Sequence, residues 1–380
     1  MRQDHKTSYT KIQLAFKINQ PVLALGSHSK NTVCFAKGNW AYLSPGHADL
    51  NIPKDFLSFE KQVKYFLRGS PRIIAHDLHP EYQSSKFLGK LSSIHRAARS
   101  PIQHHHAHIA SCMAENGLGN EKVIGVVFDG TGLGSDGRLW GGEFLICDYK
   151  NFKRAGHLKE IPLLGGEKAI QEPYRLAVCW LYSVYKDRFL SLKINFVKCI
   201  DKNKWRVLKQ MYVSGFNSPR SSSMGRLFDA AAAIILEKCK AGFEAELAIQ
   251  LEKIASKNSQ GAAAYNFNII KQKESYIIDP GIMFKQIIRD IRFKQPREKI
   301  AYGFHLTVAE MINKTCLTLR KKSKINKVFL SGGVFQNKLL LRLAAGLLYK
   351  QGFEVFTHKR LSCNDSGISL GQAAIANFRS

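Results

Sequence analysis

One arrangement occurs twice in this chain, and it limits the fold more than any other feature. Pro21 to Gly26 reads as a buried strand running into the turn GSHSKNT, then a strand (VCFA), a Lys37-Gly38-Asn39 turn and a third strand (WAYLS). Val123 to Ile146 repeats that order with VIGVVFD, the turn GTGLGSDG, RLW, a Gly141-Gly142 break and EFLI. Matching turn chemistry favours a duplicated unit over two unrelated meanders. Between the copies, Phe56 to Leu67 and Glu81 to Leu91 have helical spacing and RIIAHDL reads as a strand. After the second copy, helical stretches near Glu172 to Tyr185, Gly225 to Lys240 and Glu244 to Ala255 lead to a strand (KVFLSGGV), a helix (Gln336 to Tyr349), a strand (FEVFTH) and a last helix (Asp365 to Asn377). This alternation predicts an α/β fold with a mostly parallel or mixed sheet in each half. Function then belongs in loops at the carboxyl ends of strands, in a cleft between the halves.

A chain of 380 residues has room for two such halves. With 45% hydrophobic and 23% charged residues it buries a real core, which excludes a disordered chain, a disulfide miniprotein and a collagen-like fibre. The eight cysteines are scattered with no C-x-x-C, the pattern of structural thiols in a reducing compartment. KIQLAFKI is broken by Lys11 and Lys17, and no signal-peptide pattern precedes it. The apolar stretches Ala230 to Leu236 and Leu339 to Leu348 are too short for a membrane span or are interrupted by Arg342. A cytoplasmic protein is expected. Residues 1–18 read as a tail, and Asn258 to Lys273 as surface or mobile. Lys+Arg 57 against Asp+Glu 29 gives +28, which raises nucleic acid, an anionic membrane or an acidic protein as partners without choosing among them. The basic stretches Lys186 to Lys209 and Arg320 to Lys327 read as solvated helix faces.

The sharpest chemical motif is Gln103-His104-His105-His106-Ala107-His108. At i and i+4 of a helix, His104 and His108 leave one face and reach a single cation. His105 and His106 point elsewhere, as supporting or cleft-facing groups. Asp129 ends a hydrophobic strand and opens DGTGLGSDG, where a carboxylate can meet a cation and backbone N–H groups a phosphate, or where it is a plain turn aspartate. Asp365 sits where the last helix begins, so an N-cap is a strong alternative to a ligand. Two histidines and two aspartates with an open position would make a catalytic geometry. Ser331-Gly332-Gly333-Val334-Phe335-Gln336-Asn337 leaves a strand and opens a helix, a setting for an anion. Asp229, in Met224-Gly225-Arg226-Leu227-Phe228-Asp229, is placed to accept from ribose hydroxyls or to lie on a helix surface. Arg175, in Glu172-Pro173-Tyr174-Arg175, is an anion clamp or a structural ion pair.

Together these strings resemble the C-terminal carbamoyl-transfer module of the HypF family of hydrogenase maturation carbamoyltransferases. LALG with KNT, AHDLHPEY, QHHHAHIASCMAEN, FDGTGLGSDGRLWGGEF, RAGHLKEIPLLGG with EPYR, MGRLFDA, LSGGVFQN and NDSGISLGQA stand in the family's order from about Pro21 to Ala376. The resemblance implies a duplicated actin-like (ASKHA) ATPase fold whose two αβ subdomains flank a nucleotide and metal cleft. Its subdomains would be residues 19–120, joined by a C-terminal helix at about 364–380, and residues 121–363. It implies His104, His108, Asp129 and Asp365 as ligands of a divalent metal, iron in the first place and zinc or magnesium as alternatives. It places Lys30, Gly130, Thr131, Gly132, Ser331, Gly332, Gly333 and Asn337 toward the nucleotide phosphates and Asp229 toward the ribose. Lys30 and Arg175 are then the catalytic cations.

The ligand so implied is carbamoyl-adenylate, derived from ATP and leaving as AMP, and the acceptor is the C-terminal cysteine of a HypE-like protein, whose thiocarboxamide becomes the cyanide of NiFe hydrogenase. The family's acylphosphatase, zinc-finger and YrdC-like regions have no counterpart in this sequence, so a separate adenylating or carbamoyl-phosphate-processing protein is expected to supply the donor. Ser366 stands where the family usually has Gly, and Glu167 where Asp is common. The alternative readings are a threonylcarbamoyl-type transferase acting on tRNA, an O-carbamoyltransferase acting on a small molecule, and a noncatalytic nucleotide-binding scaffold. No aromatic-interleaved basic motif supports nucleic acid.

Overall fold

The computed structural model describes residues 9–91, 96–257 and 261–380. In the first half, β1 (Thr10–Ala24) pairs antiparallel with β2 (Cys34–Leu43). After α1 (Pro53–Leu67), β3 (Ile73–Asp77) runs parallel to β1; after α2 (Gln83–Leu91), β4 (Ala98–Ile102) runs parallel to β3. The sheet order is β2-β1-β3-β4. From β4 the chain enters α3 (His104–Glu115).

The second half opens with β5 (Val123–Leu133), β6 (Leu139–Cys147) and β7 (Phe152–Leu158), an antiparallel meander. There follow α4 (Tyr174–Tyr185), α5 (Met224–Leu236), α6 (Glu246–Ala255), the hairpin of β8 (Asn268–Gln272) and β9 (Ser275–Asp279), α7 (Gly281–Arg292) and α8 (Arg297–Ser323). Then β10 (Lys327–Ser331), α9 (Lys338–Lys350), β11 (Glu354–Phe356) and α10 (Ile368–Arg379) close the chain. β10 is parallel to β5 and β11 to β10, so the order β6-β5-β10-β11 repeats β2-β1-β3-β4 strand for strand. The duplication read from the turns is thus present in the sheets.

The sequence explains these elements. Val123 to Phe128 is buried throughout, as an inner strand covered on both faces requires, hence its unbroken apolar run. The outer part of β1 is covered on one face only: Ile12 and Leu14 are buried while Lys11 and Gln13 alternate outward. Thr10 to Ile18, expected in a tail, is therefore strand; residues 1–8 lie outside the described residues.

Two expected turns are also corrected. Lys37-Gly38-Asn39 lies inside β2, where Gly38 takes φ 59° opposite Ile18 at an irregularity of register, so one bent strand replaces two. Gly141-Gly142 lies inside β6 in the same way. Within Asn258 to Lys273, the last part forms the largely exposed β8, while Asn258 to Gln260 lie outside the described residues. The basic Lys186 to Lys209 stretch keeps its lysines and arginines at the surface.

α3 is buried over nearly its whole girth. It packs against α10, β5, β10 and β1. Its contact with α10 is so close that a Cβ on Gly371 would lie 1.9 Å from the Ala107 carbonyl oxygen. α10 is tied to β1 and to the loop that follows it, Asn377 Oδ1 accepting from Asn19 N at 2.7 Å and Gln372 Oε1 from Gly26 N at 2.9 Å. Among the described residues no helix is long and apolar enough to cross a membrane.

Candidate metal centre and its cavity

The carboxyl ends of the central strands converge on one point. Gln103 turns the chain from β4 into α3, its side chain capping the helix by accepting from His106 N at 2.8 Å. One turn apart, His104 and His108 share a face. Asp129 sits where the β5–β6 register shifts between Phe128 and Gly132, and Asp365 in the loop before α10.

One ligand atom from each of these four side chains lies within 4.8 Å of the others. His104 Nε2 is 3.5 Å from Asp129 Oδ2 and 3.8 Å from Asp365 Oδ1; His108 Nε2 is 3.7 and 3.6 Å from the same atoms. These separations exceed a good hydrogen bond. Both Nε2 atoms are buried without a hydrogen-bond partner among the described residues. Buried polar atoms are rarely left so, and a cation between the four groups satisfies them all. Two imidazoles and two carboxylates suit a divalent metal with room for a ligand oxygen.

The charges are mutually dependent. Burial opposes protonation of His104, yet Asp77, Asp365 and Asp129 outweigh it and hold the imidazole well above its usual range. His108 is raised against burial by Asp129 and Asp365. Burial would raise Asp129, but the two imidazoles hold it well below the usual carboxylate range. Protonation of the imidazoles and a bound cation are thus alternative ways to offset these carboxylates.

The surrounding contacts aim the ligands. Asp77 Oδ2 accepts from His104 Nδ1 at 2.8 Å, which leaves Nε2 facing the cluster. Gly333 N donates to Asp129 Oδ1 at 3.0 Å, which leaves Oδ2 toward the imidazoles. Gly332 holds φ 104°, and a Cβ there would lie 2.3 Å from the Phe128 carbonyl oxygen; only glycine lets the end of β10 pass β5 so closely.

A cavity of about 610 Å³ opens beside the cluster, and Asp129 and Asp365 belong to both. Lys30, Gly130, Thr131, Asp229, Gly333 and Asn337 line it. Asp229 is buried, with Oδ2 2.8 Å from Arg226 Nε; burial raises its pKa against the pull of Arg226. The Asn337 side chain is already committed, Oδ1 capping α9 at Leu340 N and Nδ2 donating to His305 Nε2 at 3.0 Å. Glu167 also lines the wall.

Four expected residues lie elsewhere. Arg175 does not line the cavity: its guanidinium binds Glu172 Oε2 at 2.6 Å and the Leu164 carbonyl at 3.2 Å. Gly132 packs against the His104 and His105 rings, Gly332 against Phe128, and Ser331 is fully buried beside His108. His105 and His106 are interior groups rather than cleft-facing ones. His105 Nδ1 is 3.1 Å from Gln103 Nε2, and His106 Nε2 donates to the Asp148 carbonyl at 2.6 Å, with burial pushing His106 down to about 4. Sequence reasoning missed Asp77, although an acid at the carboxyl end of a buried strand was a visible signal. It also missed Tyr82, Glu244 and Glu252 on the cavity wall, which carry no local signature.

Comparisons with known proteins give matches over most of the chain. Residues 17–115 match the HypF Kae1-like domain, and residues 125–372 match the second subdomain of the carbamoyltransferase Kae1-like domain. The carbamoyltransferase HypF of Synechocystis is 34% identical over 95% of this chain and 48% of its own length. A carbamoyltransferase HypF homolog of Cupriavidus necator is 33% identical over 94% of this chain and 91% of its own length. A full-length HypF crystallised in its phosphate- and nucleotide-bound form superposes with a TM-score of 0.89 at 39% identity, covering 98% of this chain and 48% of that one. The chain therefore spans about half the length of two of these three relatives.

Proposed function

The chain belongs to the HypF carbamoyltransferase family, and from that premise we propose that its cavity takes carbamoyl-adenylate and passes the carbamoyl group to a protein thiol. The acceptor is the C-terminal cysteine of a HypE-like protein, and the product serves the cyanide ligand of NiFe hydrogenase. One observation carries the reading: Asp129 and Asp365 belong both to the four-ligand cluster and to the cavity wall.

His104, His108, Asp129 and Asp365 would hold the ion, iron in the first place; once bound it supplies Lewis-acid polarisation to an oxygen of the ligand. The chain's own groups do the rest. Backbone N–H groups of Gly130 and Thr131, at the register irregularity within β5, and the Lys30 ammonium bind and orient the phosphate. Asp229 accepts from the ribose. The acceptor cysteine, as its thiolate with the proton already lost to solvent, attacks the carbamoyl carbon; a C–S bond forms, the C–O bond to phosphate breaks, and AMP departs with Lys30 balancing its charge. Arg175 acts at a distance, by fixing the Leu164 carbonyl and the turn that leads to Glu167.

The test mixes the ferrous-loaded chain with synthetic carbamoyl-adenylate and a HypE-like acceptor, and weighs the acceptor for one added carbamoyl group. Transfer should be lost in His104→Ala and Asp365→Ala. Full transfer by a metal-free variant would sink the mechanism, and an unmodified acceptor beside a loaded wild-type chain would sink the choice of thiol.

A further inference from the structure

The two imidazoles of the cluster are supported differently. His104 leans directly on Asp77, whereas among the described residues no carboxylate meets Nδ1 of His108. That nitrogen lies 3.4 Å from Ser331 Oγ; Ser331 Oγ lies 2.9 Å from His358 Nε2; and His358 Nδ1 lies 2.7 Å from Glu115 Oε2. Ser331 is fully buried, and the His358 and Glu115 side chains are 4% and 1% exposed. The other Glu115 oxygen accepts from backbone N–H groups of residues 359–361.

We infer that Ser331, His358 and Glu115 form a relay that fixes the tautomer and ring orientation of His108, and that they are positioning residues for the ion. The inference rests on the ion site proposed above. The proton accounting allows one consistent arrangement. For His108 Nε2 to face an ion, its proton must sit on Nδ1 and be donated to Ser331 Oγ. The Ser331 hydrogen then goes to His358 Nε2, which places the His358 proton on Nδ1, where the Glu115 carboxylate accepts it. A hydrogen on His358 Nε2 would instead point at Ser331 Oγ and leave the serine's own hydrogen without an acceptor among the described residues. The relay thus carries carboxylate support to His108 through two side chains, as Asp77 gives it to His104 in one step. Ser331, expected to face phosphate, serves the metal ligand.

The test titrates the full chain with zinc and with cobalt(II), following affinity by chelator competition and ligand geometry by the visible cobalt spectrum. Ser331→Ala and His358→Phe should each weaken binding about 10–100-fold, the double variant should lose little more than either, and the cobalt bands should shift in all three. His358→Gln, whose amide oxygen still accepts from Ser331, should recover part of the loss. Thermal unfolding of each metal-free variant identifies any that fail to fold, and the remaining ones decide. A wild-type chain that takes up no ion removes the site and the relay together. A wild-type chain that loads, with single variants within about twofold of it or with additive losses, removes the relay and leaves the site.

Discussion

Asp77 decides which nitrogen of His104 faces the cluster, because its 2.8 Å contact claims Nδ1. Asp77→Asn keeps an acceptor but loses the charge, so ion affinity should fall about 10–100-fold with little change in the fold; chelator competition reads it, and an unchanged affinity would refute the orienting role. Protons compete at the same place. Facing carboxylates raise His104 and His108 against burial, so the ion-free imidazoles keep their protons at pH values where ordinary histidines have lost them. Ligation needs both rings neutral, and affinity must therefore rise with pH, with protons released on binding. Calorimetry in two buffers of different ionisation enthalpy counts those protons, and a buffer-independent heat would contradict the charge cluster.

At the scale of elements, the site depends on how closely α3 and α10 cross. Gly371→Ala puts a Cβ 1.9 Å from the Ala107 carbonyl oxygen, backbone that cannot turn aside. The helices must separate, at a cost of about 1–3 kcal/mol, and the turn bearing His104 and His108 moves away from Asp365. Urea unfolding should register the first effect and ion affinity the second. Gly346→Ala in α9, where the Cβ meets nothing within 4 Å, should instead stabilise by up to about 1 kcal/mol.

These elements also mark what the sequence made legible. β5 and β10 were readable as apolar runs because inner strands are covered on both faces, and the His104–His108 pair because a helix repeats at four residues. The outer part of β1 was not, since one-sided burial leaves Lys11, Gln13 and Lys17 exposed among the apolar residues. α8, 27 residues long, has buried residues around most of its girth, from Ile300 to Leu319, and so shows no clean stripe. At the site, the histidine pair stood out by spacing, whereas Asp129 and Asp365 joined it only through the family resemblance. The Arg175–Glu172 ion pair was one of the two readings open from the sequence, three residues apart, whereas the commitment of Ser331 to His358 depended on a neighbour that only the fold supplies.

Over the whole molecule, 57 basic against 29 acidic residues leave at least 28 cations without a carboxylate of their own, wherever they sit. The excess is not gathered at the cavity. There Lys30 and Arg226 face six carboxylates, Asp129, Glu167, Asp229, Glu244, Glu252 and Asp365, so an anionic ligand needs the ion to offset the wall. The surplus therefore acts mainly as diffuse self-repulsion. Salt shortens its reach from about 30 Å at 0.01 M to about 8 Å at 0.15 M, so the unfolding midpoint should rise over that range. The bound ion stabilises by another route, joining residues 104–108, 129 and 365, segments far apart in the chain; at an ion concentration about 100 times Kd the gain is about 2.7 kcal/mol. The two routes separate by genotype. Salt should raise the midpoint of the wild type and of His104→Ala alike, whereas the divalent ion at constant ionic strength should raise only the wild type. A salt-induced drop would show that attractive pairs outweigh the +28 repulsion, and equal ion effects in both proteins would place the ion outside the four-ligand cluster.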